Sequence, residues 1–337
     1  MATWPRTHIQ TGAGPVDAIA PYIISASRST DIPAFYGDWF MRRLDEGYVT
    51  WVNPFNRRPQ VVSLANARVI VFWSKNPAPL IPHLEDIAER DIAFYFQFTL
   101  NDYEDQDLEP RVPPLERRIA TFRQLSEQLG RHRVIWRFDP LILTDQLDVD
   151  RLLAKVERVG EALHGCTEKL VFSYADIATY AKVQRNLRAA GVAAREFTPE
   201  SMHALAAGIA ELTHRWGIQA ATCGEEIDLR QHGIERNRCV DDQLIMRLRP
   251  DDDELRRFIY PPRQGNLLND DHDQGPPAPT KDPGQREACG CIVSKDIGCY
   301  NTCGHLCRYC YANASADVVQ RNMALARANP DGESIVP

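Results

Sequence analysis

Six short apolar runs alternate with amphipathic stretches through residues 22–223, and that alternation restricts the chain to few folds. The runs are Tyr22–Ser27, Val69–Ser74, Ala93–Thr99, Arg133–Phe138, Lys169–Tyr174 and Ile218–Thr222. Each is rich in β-branched or aromatic residues and nearly continuous in apolar character, as strands buried on both faces are. Helical periodicity fills the gaps, over roughly 34–46, 79–90, 115–130, 148–164, 177–190 and 199–216. In the third of these, Leu115, Ile119, Phe122, Leu125 and Leu129 form one apolar stripe. Thr198 is placed to cap the last, with Pro199 in its first turn. Residues 49–64 read as a β-hairpin insert. Six β-α units in succession predict a parallel sheet with helices outside it, either as a doubly wound open sheet or curved into a partial barrel.

In parallel α/β folds ligand chemistry collects at the carboxyl ends of the strands. Just past the six runs stand Ser27-Arg28-Ser29-Thr30-Asp31, Ser74-Lys75-Asn76, Thr99-Leu100-Asn101, Arg137-Phe138-Asp139, Ser173-Tyr174-Ala175-Asp176 and Cys223-Gly224-Glu225. Polar residues at one strand end are ordinary caps and turns; six such ends on one rim point to a ligand site. Arg137 interrupts an apolar strand, and a buried guanidinium is costly unless paired. It therefore meets a carboxylate, from Asp139, Asp176 or a ligand. Lys75, Arg137, Asp139, Asp176 and Glu225 are the candidate catalytic residues. Ser27, Ser74, Lys75, Arg137, Ser173 and Tyr309 are the candidate cofactor-binding residues.

The chain holds nine cysteines, and six of them fall between residues 289 and 310. Clustering of an odd number, without a basic-then-apolar leader at the start, reads as metal ligation rather than disulfides. Cys303, Cys307 and Cys310 follow a C-x3-C-x2-C spacing with Tyr309 before the last. Three thiolates on one loop can hold three irons of a [4Fe-4S] cube and leave the fourth open to a small molecule. Cys289 and Cys291, with Cys223 and Cys239, supply four more thiolates, enough for a fully ligated auxiliary cluster. Structural zinc is the competing use of such cysteines, although zinc favours two pairs over one compact loop.

Net charge is −7, which argues against a broad nonspecific nucleic-acid footprint. No apolar run approaches membrane-span length, so a cytoplasmic protein without membrane attachment is expected. The expected organisation is a barrel domain over 1–260, a Pro-, Gly- and Asp-rich linker over 261–287, and a cysteine-rich segment with its tail over 288–337. A terminal helix and a disordered end are expected after about residue 313.

The triad segment resembles the signature of radical S-adenosylmethionine (SAM) enzymes. Over Ile24 to Asn313 the chain resembles an uncharacterised bacterial domain-of-unknown-function family with such a triad at its C-terminus. The stretches that carry this are Ser25-Ala-Ser-Arg-Ser-Thr-Asp-Ile-Pro, Phe72-Trp-Ser-Lys-Asn-Pro, Arg137-Phe-Asp-Pro, Cys223-Gly-Glu-Glu-Ile-Asp and Ser294-Lys-Asp-Ile-Gly. Trp73-Ser-Lys-Asn-Pro and Arg137-Phe-Asp-Pro are more weakly similar to strand ends of spore photoproduct lyase and its relatives. The resemblance implies a six-stranded parallel (β/α)6 partial TIM barrel, with the iron–sulfur segment folding back over the strand ends. It also implies SAM as a second cofactor and one-electron cleavage to a 5′-deoxyadenosyl radical, with electrons from a flavodoxin or ferredoxin. The substrate stays open, either a small molecule or nucleic-acid-derived. Two departures stand out: the triad is permuted to the C-terminus, and no Gly-Gly-Glu stretch follows the second strand to hold the SAM amine. An iron–sulfur electron-transfer or redox-sensing protein that leaves SAM intact is the alternative, and a zinc-stabilised binding module is a third reading.

Overall fold

The structure is a computed structural model that describes residues 4–12, 14–262 and 278–336. All six expected strands form, at Ile23–Ala26, Val69–Ser74, Ala93–Thr99, Val134–Leu141, Lys169–Tyr174 and Gln219–Thr222. They lie side by side in chain order, and every neighbouring pair is parallel. Two-residue strands extend the sheet to eight: Glu235–Arg236 beside the sixth core strand and Lys295–Asp296 beside the first. The outermost strands do not pair with each other, so the sheet is not a closed barrel.

Burial on both faces explains the unbroken apolar runs. Ile70, Phe72, Phe94, Phe96, Trp136 and Phe172 pack into the larger core, together with residues of the helices Leu115–Leu129, Val149–Leu163 and Pro199–Trp216. Residues of opposite parity, including Val69, Val71, Tyr95, Ile135 and Val171, pack into a second core. That inner face is covered by the short helices Asp242–Leu248 and Asp253–Ile259 and by Cys239, Cys289, Cys291 and Ile292.

The helical expectations hold, with two breaks. The first helix divides at Tyr36 into Ile32–Phe35 and Gly37–Glu46, and the second opens as a 3-10 turn, Ala78–His83, before Leu84–Glu89. Thr198 caps Pro199–Trp216 as expected. The hairpin pairs Tyr48–Val52 with Pro59–Ser63 and joins the N-terminal strands Arg6–Thr11 and Gly14–Ile19 in a four-stranded sheet.

Part of the expected linker, residues 263–277, lies outside the described residues. The part after it is tied down: the Thr280 amide donates to the Ile259 carbonyl at 2.9 Å, and the Asp282 amide to the Cys291 carbonyl at 2.9 Å. The helix expected near the end is Ala316–Ala328. The residues after it are docked rather than disordered. Trp39 Nε1 donates to the Gly332 carbonyl at 2.8 Å, and the Glu333 carboxylate accepts from Tyr48 Oη at 2.7 Å and Thr50 Oγ1 at 2.9 Å. Ile335 is buried in the main core, and this apolar anchor with its acceptor fixes the end. Among the described residues, no helix is long and apolar enough to cross a membrane.

Candidate metal centre

The C-terminal segment returns to the sheet as an edge strand. Lys295 and Asp296 pair with Ile24 and Ser25 of the first core strand. The Asp296 carboxylate accepts from Ser25 Oγ at 2.8 Å, Ser27 Oγ at 2.7 Å and the Arg28 amide at 2.8 Å. The serine-rich strand end thus meets a carboxylate from the chain itself, and Ser27 is held by Asp296.

The Cys303 loop then lies against the carboxyl ends of the next strands. His305 Nε2 sits 2.8 Å from Asp31 Oδ2, and both residues are buried. Asp31 also accepts from Ser74 Oγ and from the Lys75 amide, each at 2.7 Å. Lys75 Nζ is 2.7 Å from Glu109 Oε1 and 3.0 Å from Tyr309 Oη. Asn101 Nδ2 reaches the same two atoms at 2.9 and 3.1 Å, and Tyr309 donates to Glu109. Burial works against the Lys75 ammonium, but the Glu109 carboxylate and the nearby Cys307 thiol hold its pKa above the ordinary value. Burial likewise opposes ionised Glu109, and the Lys75 and Arg118 charges keep its pKa below the usual carboxylate range.

Burial pushes the thiols of Cys303, Cys307 and Cys310 up in pKa. As isolated thiols in this setting they stay protonated; a metal would hold them as thiolates. The donor set fits an iron–sulfur group. Cys303 and Cys310 both lie within electrostatic range of Cys307. Backbone amides of His305 and Asp31 serve the Cys303 sulfur, and those of Ala312 and Asn313 the Cys310 sulfur. Buried polar atoms that make no hydrogen bond include Arg28 Nη2, Thr30 Oγ1 and Glu109 Oε2.

A second group of cysteines lies on the inner face. Cys223 Sγ and Cys239 Sγ are 3.5 Å apart, and Cys291 interacts with the thiols of Cys239 and Cys289. Arg137 is the polar residue inside the fourth strand, and it points here. Its Nη1 lies 2.8 Å from Cys239 Sγ and 3.2 Å from Gln97 Oε1, and its other edge pairs with Asp139. The expected carboxylate partner is therefore Asp139, which also accepts from Ser173. Among the described residues, no three His, Cys, Asp or Glu side chains converge as a single metal ion requires. A cluster's thiolates stand at the corners of a larger body, so either cysteine set can serve a cluster without meeting at one point.

Asp176 lies aside from this network, half-exposed and 2.6 Å from Arg286 of the returning segment. Glu225 is buried and accepts the Tyr174 amide at 2.9 Å. Burial, with smaller contributions from Asp176 and Asp139, pushes its pKa up to about 7. A carboxyl in that range can hold or release a proton near neutral pH. Cys166 and Cys299 belong to neither cysteine group: one thiol faces the His164 carbonyl and the other the Tyr300 carbonyl.

Sequence reasoning missed Glu109, Gln97, His305 and Asp296. His305 and Asp296 have a readable signal, being polar residues inside the cysteine-rich segment. Glu109 has none, because it stands in an irregular loop among other acids.

The sequence profile of a family described as "Domain of unknown function (DUF1848)" matches residues 23–312. The chain belongs to that family. The match spans all six core strands and ends just past Cys310, so both cysteine groups are part of the family's domain. No curated protein is similar to the chain. Among solved structures there is a faint likeness to one described as a "putative alpha-L-fucosidase" from Bacteroides thetaiotaomicron, at 11% identity and a TM-score of 0.22. It covers 49% of this chain and 64% of that one, so the chain spans less than two thirds of that protein.

Proposed function

We propose that the chain is a radical SAM-type enzyme, in which Cys303, Cys307 and Cys310 hold an open-site [4Fe-4S] cluster at the mouth of a curved, six-stranded partial barrel. The observation that carries this is the seat of the Cys303 loop. Through His305–Asp31 and Tyr309–Lys75–Asn101 it rests on the carboxyl ends of the first three core strands, where parallel α/β folds keep their ligands. When bound, the cluster and SAM supply a carbon-centred radical by one-electron cleavage of the sulfonium bond, with a flavodoxin or ferredoxin as electron donor.

The chain's own residues have separate tasks. The three cysteines bind and orient, and the Lys75 ammonium beside Cys307 offsets thiolate charge. Tyr309, half-buried and edge-on to Tyr103, shields the loop from water. Glu225, near neutrality in pKa, holds or moves a proton at the fifth and sixth strand ends. Most of the side chains expected to grip SAM are engaged within the protein, so the unpartnered Thr30 Oγ1 is the better candidate for a ligand's polar group.

The test is anaerobic reconstitution with iron, sulfide and SAM. Wild-type protein should release 5′-deoxyadenosine under dithionite. The variant with Cys303, Cys307 and Cys310 all changed to alanine should lose about four irons per chain and release none. Iron uptake with intact SAM at all times would favour an electron carrier or redox sensor; zinc in place of iron would favour a binding module.

A further inference from the structure

We infer that Cys223, Cys239, Cys289 and Cys291 form a second thiolate centre, a fully ligated [4Fe-4S] cluster that exchanges one electron, with Arg137 as its charge partner. It stands on observations separate from those behind the open-site cluster. The four residues come from three distant parts of the chain: the end of the sixth strand, the loop before helix Asp242–Leu248, and the returning C-x-C pair. Folding joins them in one unbroken series of thiol contacts on the inner face.

Two of the sulfurs are met by N–H donors from several directions. Cys239 Sγ receives Arg137 Nη1 at 2.8 Å and Asn237 Nδ2 at 3.3 Å. Cys291 Sγ receives the backbone amides of Cys239 and Val240 at 3.2 and 3.4 Å. A neutral thiol is a weak acceptor, whereas cluster thiolates recruit such donors, and these donors tune the potential. Arg137 is only 4% exposed, and a second guanidinium, Arg28, lies within electrostatic range of Cys291 and Cys239. Asp139 answers the Arg137 charge on one edge, and both guanidiniums also lie near the cysteines. Four thiolates around an oxidised cube carry two net negative charges, which these guanidiniums moderate. The electron comes from a one-electron donor protein and leaves by the same kind of step, so the centre needs no bond made or broken.

The experiment uses the full chain reconstituted anaerobically with ferrous iron and sulfide. Wild type should hold about eight irons, and the triple alanine variant at Cys303, Cys307 and Cys310 about four, with a reducible iron–sulfur EPR signal. The double variant Cys289→Ala with Cys291→Ala should lose that signal and keep the other cluster. Arg137→Lys, which keeps the charge but loses the fork to Cys239, should shift the midpoint potential of that signal and leave the iron count unchanged. An iron-free triple variant overturns the proposal, even where wild type binds four irons and cleaves SAM. So does zinc in the four-cysteine site, or a Cys223–Cys239 disulfide in anaerobically purified protein. Conversely, wild type that holds the second cluster but never cleaves SAM would sink the radical SAM reading alone.

Discussion

Glu225→Gln should make the protein more stable at mildly alkaline pH, and the structure gives the size of the effect. The Glu225 carboxyl is 8% exposed, and its pKa is raised from its ordinary 4.5 to about 7. The cause is chiefly burial, then the neighbouring Asp176 and Asp139 charges, against a hydrogen bond from the Tyr174 amide that works the other way. A raised carboxyl pKa favours the fold while the group stays protonated in both states. As pH rises past 4.5 the unfolded chain ionises while the folded one does not, so stability falls until the folded group ionises near 7. Between about pH 5 and about pH 8 this one group should remove roughly 2.5 kcal/mol. Glutamine is neutral throughout and can still accept the Tyr174 amide. Urea unfolding of wild type and Glu225→Gln, run side by side at the two pH values, cancels every other titration. The expected double difference is about 2.5 kcal/mol, with the variant gaining at the higher pH. A double difference within about 0.5 kcal/mol of zero would refute the burial argument, and with it a proton-holding role for Glu225 near neutrality.

Two further outcomes follow from the contacts of the returning segment. Lys75→Met leaves Glu109 buried with only Arg118, at 3.7 Å, to answer its charge, so a loss of about 3 kcal/mol in urea unfolding is expected; a loss below about 1 kcal/mol would mean that the pair is not held in solution. A Cβ on Gly298 would fall 1.9 Å from Ser27 Oγ and 2.5 Å from Ser27 Cβ. Gly298→Ala should therefore cost about 3 kcal/mol and open the segment around Asp296 to limited proteolysis, and an unchanged unfolding midpoint would show that the edge strand does not seat there.

The six core strands were legible because both of their faces are buried, which leaves an unbroken apolar signature. The N-terminal sheet was not. Arg6–Thr11 alternates exposed and half-exposed residues, and its polar side chains hide that alternation from a hydrophobic reading. Helices Asp242–Leu248 and Asp253–Ile259 are seven residues each, too short for a periodic stripe, yet they cover the inner face. In the site, the cysteines and the polar strand ends were readable as residue types, and Arg137 was expected to meet a carboxylate from Asp139, Asp176 or a ligand, of which the structure supplies Asp139. The partners of the other strand ends were not readable. Ser27 meets Asp296, and Asp31 meets His305, across separations of 269 and 274 residues that no local pattern encodes. An unpaired polar strand end looks the same in sequence whether a ligand or a distant stretch of the same chain will answer it.

That ambiguity has a physical resolution in the way the two cysteine groups are joined. Arg137 donates to Cys239 Sγ and pairs with Asp139; the Asp139 amide donates to Asn101 Oδ1 at 2.9 Å; Asn101 Nδ2 donates to Tyr309 Oη at 3.1 Å, one residue before Cys310. The polar groups of strands three and four thus run from the inner-face cysteines to the Cys303 loop. In a setting this buried, removing one member leaves its neighbours short of a partner, at a desolvation cost. The seat of the triad loop is therefore set by the inner face as well as by the rim. A C-terminal cysteine loop can serve a site at the strand ends because its tyrosine and histidine are built into the same network that pairs the buried arginine.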